Sequence, residues 1–128
     1  MPYYIAKTID QPFEDAIEAA EAALKKEGFG VLTRIDIADT LKKKIGAEFH
    51  PYVILGACNP QLAFEALKLE NKVGTMLPCN VVVQAVADNR SEVAAIDPVA
   101  SMQAIDNADL KGAAEQVRAK LARVIDSL

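Results

Sequence analysis

Two cysteines stand in nearly matching frames, Ala57-Cys58-Asn59-Pro60 and Leu77-Pro78-Cys79-Asn80, each followed at once by an asparagine. Each frame lies where an apolar run meets a structural boundary. A thiolate is a nucleophile and a metal ligand, so these segments are the natural place for chemistry. Asn59-Pro60 has the form of a helix start, with asparagine supplying the N-cap oxygen and proline suiting the first helical position. Cys58 therefore stands beside a helix N-terminus, whose unpaired N–H groups and partial positive charge favour a thiolate. On that reading its pKa falls and it becomes the reactive group, with Cys79 as resolving partner or co-ligand. The competing reading makes Cys58 a small buried apolar residue closing a strand.

The neighbouring polar residues have structural readings first. Asn59 is a helix cap. Asn80 can use its amide where Pro78 has removed a backbone donor. Asp97, before Pro98, repeats the cap-plus-proline device, and its alternative role is a carboxylate near the thiols, as base or ligand.

Whether the thiols meet depends on the elements that carry them. Tyr52 to Cys58 reads as a strand whose Val53-Ile54-Leu55 run suits a central position or burial on both sides. Cys79 to Ala87 reads as the next strand, centred on Val81-Val82-Val83. If the two are antiparallel neighbours, the end of one lies beside the start of the other and both thiols share one end of the sheet. A parallel crossover through the helix Pro60 to Glu70 would put them at opposite ends. The first arrangement is expected, with Cβ atoms near the ~4 Å spacing of a disulfide or somewhat beyond.

The rest reads as scaffold. Tyr3 to Ile9 predicts a strand, and Phe13, Ala16, Ile17, Ala20 and Leu24 recur at helical spacing, with Gly28 as the stop. Phe29 to Ile37 predicts a strand. A short helix is expected from Asp39 to Ile45, capped by Asp39, with Leu41 and Ile45 inward and Lys42-Lys43-Lys44 solvated. Asn71 to Pro78 is expected to be irregular. Asp88-Asn89-Arg90 predicts a tight turn into a strand from Ser91 to Ile96. A helical turn follows at Pro98, and a last helix begins near Asn107 with Leu110, Ala113, Ala114, Val117, Leu121, Val124 and Ile125 on its apolar stripe.

The composition excludes several classes of function. The 128 residues suit a single domain, 1–128, and 52% hydrophobic content argues against disorder. A net charge of −4 argues against nucleic-acid binding and against docking on anionic membranes. Met1-Pro2-Tyr3-Tyr4-Ile5-Ala6-Lys7 lacks the basic head and apolar run of a secretion signal, so a cytoplasmic protein with reduced thiols is expected. There is no Ser-His-Asp set, no phosphate-binding glycine loop and no zinc-finger spacing. Gly28-Phe29-Gly30 opens a strand rather than following one, unlike a dinucleotide fingerprint. His50, the single histidine, reads as a loop residue before Pro51, and no metal-ligand set is assigned.

The blocks Ile54-Leu55-Gly56-Ala57-Cys58-Asn59-Pro60, Leu77-Pro78-Cys79-Asn80-Val81-Val82-Val83 and Ala95-Ile96-Asp97-Pro98 resemble the domain-of-unknown-function family numbered 302. Gly28-Phe29-Gly30-Val31-Leu32-Thr33 and Leu41-Lys42-Lys43-Lys44-Ile45-Gly46 fit the same pattern. The resemblance implies an α+β fold similar to the TATA-binding-protein class: strand, helix, four strands and helix, with helices on one face of a curved, mainly antiparallel sheet. It implies homodimers or larger homo-oligomers, and no activity or cofactor.

Two functional readings lead. In the first, the chain is a homo-oligomeric module that binds a small molecule at a site near Cys58, Asn59, Cys79 and Asn80. In the second, Cys58 and Cys79 handle redox, sulfur or a soft metal. A purely structural oligomer subunit is the third.

Overall fold

The computed structural model describes residues 2–128. Its chain order is β1 (Tyr4–Ile9), α1 (Phe13–Lys26), β2 (Gly30–Asp36), α2 (Ile37–Ile45), β3 (Tyr52–Cys58), α3 (Pro60–Leu69), a 3-10 helix (Asn71–Met76), β4 (Cys79–Ala87), β5 (Arg90–Ile96), α4 (Pro98–Ser101) and α5 (Ala108–Asp126). The strands form one five-stranded sheet in the order β1-β5-β4-β3-β2, with every neighbouring pair antiparallel. This is the α+β architecture expected from the sequence.

One face of the sheet carries the main core. Val53, Leu55 and Ala57 of β3, Cys79, Val81 and Val83 of β4, and Val93 and Ala95 of β5 are buried against Ala16, Ile17, Ala20 and Leu24 of α1 and Leu121, Val124 and Ile125 of α5. Their alternation along each strand is the period-2 pattern of a sheet with one packed face. A fully buried Leu or Val contributes roughly 1.5–3 kcal/mol, so this layer dominates stability. A second, smaller cluster joins Ala66 of α3, Val73 of the 3-10 helix, Met102, and Leu110 and Ala114 of α5. Helix α5 thus belongs to both clusters, its N-terminal half to the small one and its C-terminal half to the main one.

The opposite face of the sheet has an unusual composition. Register places Ile35 opposite Ile54, Ile54 opposite Val82, Val82 opposite Ala94, and Ala94 opposite Ala6. An apolar row therefore crosses all five strands on the side away from α1 and α5. The uninterrupted runs in β3 and β4 are explained by this row together with the packed face: β4 is the central strand and β3 its neighbour.

Four local expectations are corrected. Helix α2 is capped by Asp36, whose carboxylate accepts from Asp39 N–H at 2.9 Å, so it starts before Asp39. Ile45 is 73% exposed rather than inward, because α2 has no buried residue and simply bridges β2 and β3 at the sheet end. Residues Asn71–Met76 form a 3-10 helix anchored by buried Val73, where an irregular connection was expected. Helix α3 ends at Leu69, one residue early.

Gly56 shows how tightly the site end of the sheet is closed. It lies on the side away from α1 and α5 yet is buried, because Thr33 and Pro78 lie over it. An added Cβ would overlap Thr33 Oγ1 and fall 2.8 Å from Pro78 Cγ. Gly56→Ala should lower stability by about 1–3 kcal/mol in denaturant titration, the range for overpacking a closed site. Removing Thr33 Oγ1 with Thr33→Ala should recover part of that loss; an unchanged Gly56→Ala midpoint would show that the cover is loose.

Candidate functional site

Both cysteines contribute to the wall of one cavity. It lies between the end of β3, the start of β4, α3 and the N-terminal half of α5, where the main core meets the small cluster. Its volume is about 40 Å³. Phe29, Ala57 and Cys79 come from the main core, and Ala66, Met102, Leu110 and Ala114 from the small cluster. Half-buried Cys58, Asn59, Leu62, Leu77 and Ala113 complete the wall toward solvent.

The antiparallel pairing of β3 and β4 brings the thiols to one end of the sheet. Ala57, rather than Cys58, is the register partner of Cys79, so the cysteines are offset by one residue. Strict alternation would turn Cys58 away from the core. It is the last residue of β3, and the chain turns there into α3, which lets it share the cavity. Both cysteines are free thiols. Burial pushes the Cys79 thiol from its ordinary 9.0 up to about 11, and the adjacent Cys58 adds to the rise. Cys79 is therefore neutral at physiological pH.

Asn59 does the work assigned to a cap: its Oδ1 accepts the Leu62 N–H at 3.2 Å, with Pro60 in the first helical turn. Its Nδ2 rests against Gly28, where a Cβ would sit 3.1 Å away. Gly28 also has φ +85°, so both space and backbone favour glycine there. The α1–β2 turn is thereby seated directly on the N-terminus of α3.

Asn80 is exposed and lies on the other face of the sheet, beside Tyr4, Tyr52, Val82 and Gln84. Cys79 and Asn80 are consecutive in a strand, so they point to opposite sides and do not share a site. His50 is remote from the thiols: its Nε2 is 2.9 Å from Gln84 Oε1 and its ring lies tilted against Phe49. Among the described residues no group of three or more His, Cys, Asp or Glu is placed to hold a metal ion.

Asp97 is also absent from the cavity wall, although Pro98 lines it. Its carboxylate is buried, with Oδ1 accepting the N–H groups of Val99 (3.0 Å) and Ala100 (3.3 Å) and Oδ2 accepting Arg118 Nε at 2.8 Å. Burial by itself raises its pKa. The Arg118 hydrogen bond, the two backbone N–H groups and the guanidinium charge outweigh that and hold it below the ordinary carboxylate range. Asp97 thus caps α4 and locks α5. Its partner Arg118 was not singled out in the sequence. A signal existed: Arg118 follows Ala114 by four residues and precedes Leu121 by three, so it shares the inward flank of α5. Met102, in the turn after α4, carried no periodic signal at all.

Two outcomes follow from this geometry. Alkylation of the folded protein at pH 8 should modify Cys58 and spare Cys79 until the chain is unfolded, as read by peptide mass; equal reactivity of the two would contradict the burial of Cys79. Arg118→Gln should cost about 1–3 kcal/mol at pH 7, because it leaves a buried carboxylate without its strongest partner. A lowered folded pKa means that Asp97 contributes fully above its ordinary value of about 4, and the contribution fades as pH falls through the lowered value. The stability gap between wild type and variant should accordingly close in acid.

No curated protein matches the chain. A solved structure, that of an uncharacterized conserved protein DUF302 from Bacillus stearothermophilus, is similar with a TM-score of 0.90 at 29% identity, covering 98% of each chain. Residues 5–128 match the family described as "Domain of unknown function DUF302", and the chain belongs to that family.

Proposed function

We propose that the protein is a homo-oligomeric small-ligand-binding module whose site is the cavity shared by Cys58, Asn59 and Cys79. The observation that carries this reading is the cavity at the seam of two hydrophobic clusters, with both thiols in its wall. Among the described residues the cysteines are the only titratable ones lining it, which favours binding over acid–base catalysis. Its volume of about 40 Å³ suits an occupant of a few heavy atoms; an apolar cavity that holds benzene is ~150 Å³. Thiol chemistry is the second reading, favoured by the same pair of sulfurs.

Self-association fits the apolar row from Ile35 to Ala6, which a second copy would cover across the sheet. Free thiols fit a reducing compartment such as the cytoplasm. No helix among the described residues is long and apolar enough to cross a membrane.

Native mass spectrometry of untagged protein tests the reading. The expected species is a dimer carrying a small non-peptide component. Ala113→Phe, which fills the cavity from a half-buried position, should lose that component and keep the dimer. Val82→Glu, at the centre of the apolar row, should give monomers that keep it. A bare monomer from the wild type would overturn the proposal.

A further inference from the structure

We infer that the seam cavity is a site for a soft monovalent cation of the copper(I) class, held by the thiolates of Cys58 and Cys79 with the thioether of Met102 as third donor. The inference rests on the cavity being a ligand site and names its occupant. The chain has two cysteines and three methionines, and both cysteines and one methionine line this one cavity. Thiolate and thioether ligands select soft copper(I).

The rest of the wall argues against other metals. It is apolar apart from the Asn59 amide and backbone, so it lacks the oxygen cage that calcium or magnesium requires. Structural zinc takes four ligands, and no third His, Cys, Asp or Glu joins the thiols among the described residues. A soft ion satisfied by two or three sulfurs remains. The volume of about 40 Å³ has room for a single ion.

The protons and charges balance without a redox step. Two S–H bonds break, two copper–sulfur bonds form, two protons pass to solvent, and the copper stays monovalent. Two thiolates and one monovalent cation leave one negative charge, and the positive end of α3 begins immediately after Cys58. Burial keeps Cys79 protonated in the free protein, so its proton is one of the two released.

Reduced, metal-free protein would be titrated anaerobically with copper(I) against a chromogenic copper(I) chelator. The expected result is one ion per chain, with affinity rising at least about tenfold per pH unit between about pH 6 and 8, the slope for the Cys79 proton. Cys58→Ser, at a half-buried position, should weaken binding by about a hundredfold or more, and Cys79→Ser likewise if it folds. Met102→Leu should keep the fold and the stoichiometry, and X-ray absorption should show one fewer sulfur around copper. Failure to compete with the chelator, or binding unaffected by Cys58→Ser, would overturn the copper site. If copper fails while a small molecule still co-purifies and is lost in Ala113→Phe, the cavity reading stands and only the ion is wrong; if both fail, both readings fall.

Discussion

The arrangement around the site depends on one buried carboxylate. Asp97 leaves β5, caps α4 and binds Arg118 in the middle of α5. Hydrogen bonds to a charged group are each stronger than neutral ones, and an unpaired carboxylate in that position would be costly. The side chain therefore fixes where α5 crosses the end of the sheet. Because α5 serves both hydrophobic clusters, fixing it sets the gap between them, and that gap is the cavity. Asp97 thus supports the cavity from outside its wall.

The two clusters differ in what they can do. The main core is a packed sheet-and-helix layer with long-range strand pairing, which leaves little freedom for motion. The small cluster rests on α3, the 3-10 helix and α4, all short, and it is tied to the sheet through Asn59, Asp97 and α5. The cavity on that boundary has the main core as one wall and the small cluster as the other. Cys79 belongs to the main-core wall, Met102 to the small-cluster wall, and Cys58 lies where they join.

Much of the scaffold was legible in the residues. The limits of β3 and β4 follow from apolar runs ended by Asn59-Pro60 and preceded by Pro78, and the structure keeps them unchanged. The antiparallel neighbourhood of the cysteines was also legible. Other features were not, for physical reasons. Asp36 and Asp39 are equally good caps locally, and α2 has no buried face to choose between them. Val73 anchors its 3-10 helix through a tertiary contact that no local periodicity announces. The matching Cys-Asn frames misled in one respect. In a strand, adjacent residues diverge, which removes Asn80 from the site; at a strand end the rule relaxes, which keeps Asn59 in it.

The cysteines also have a role in the topology of the chain. Cys58 is the last residue before the chain leaves the sheet, and Cys79 is the first after it returns. Together they form the neck of an excursion that contains all of α3 and the 3-10 helix. The conformational entropy released when such an excursion opens depends on how firmly its neck is held. A bridge between the two sulfurs would reduce that freedom for the whole segment at once.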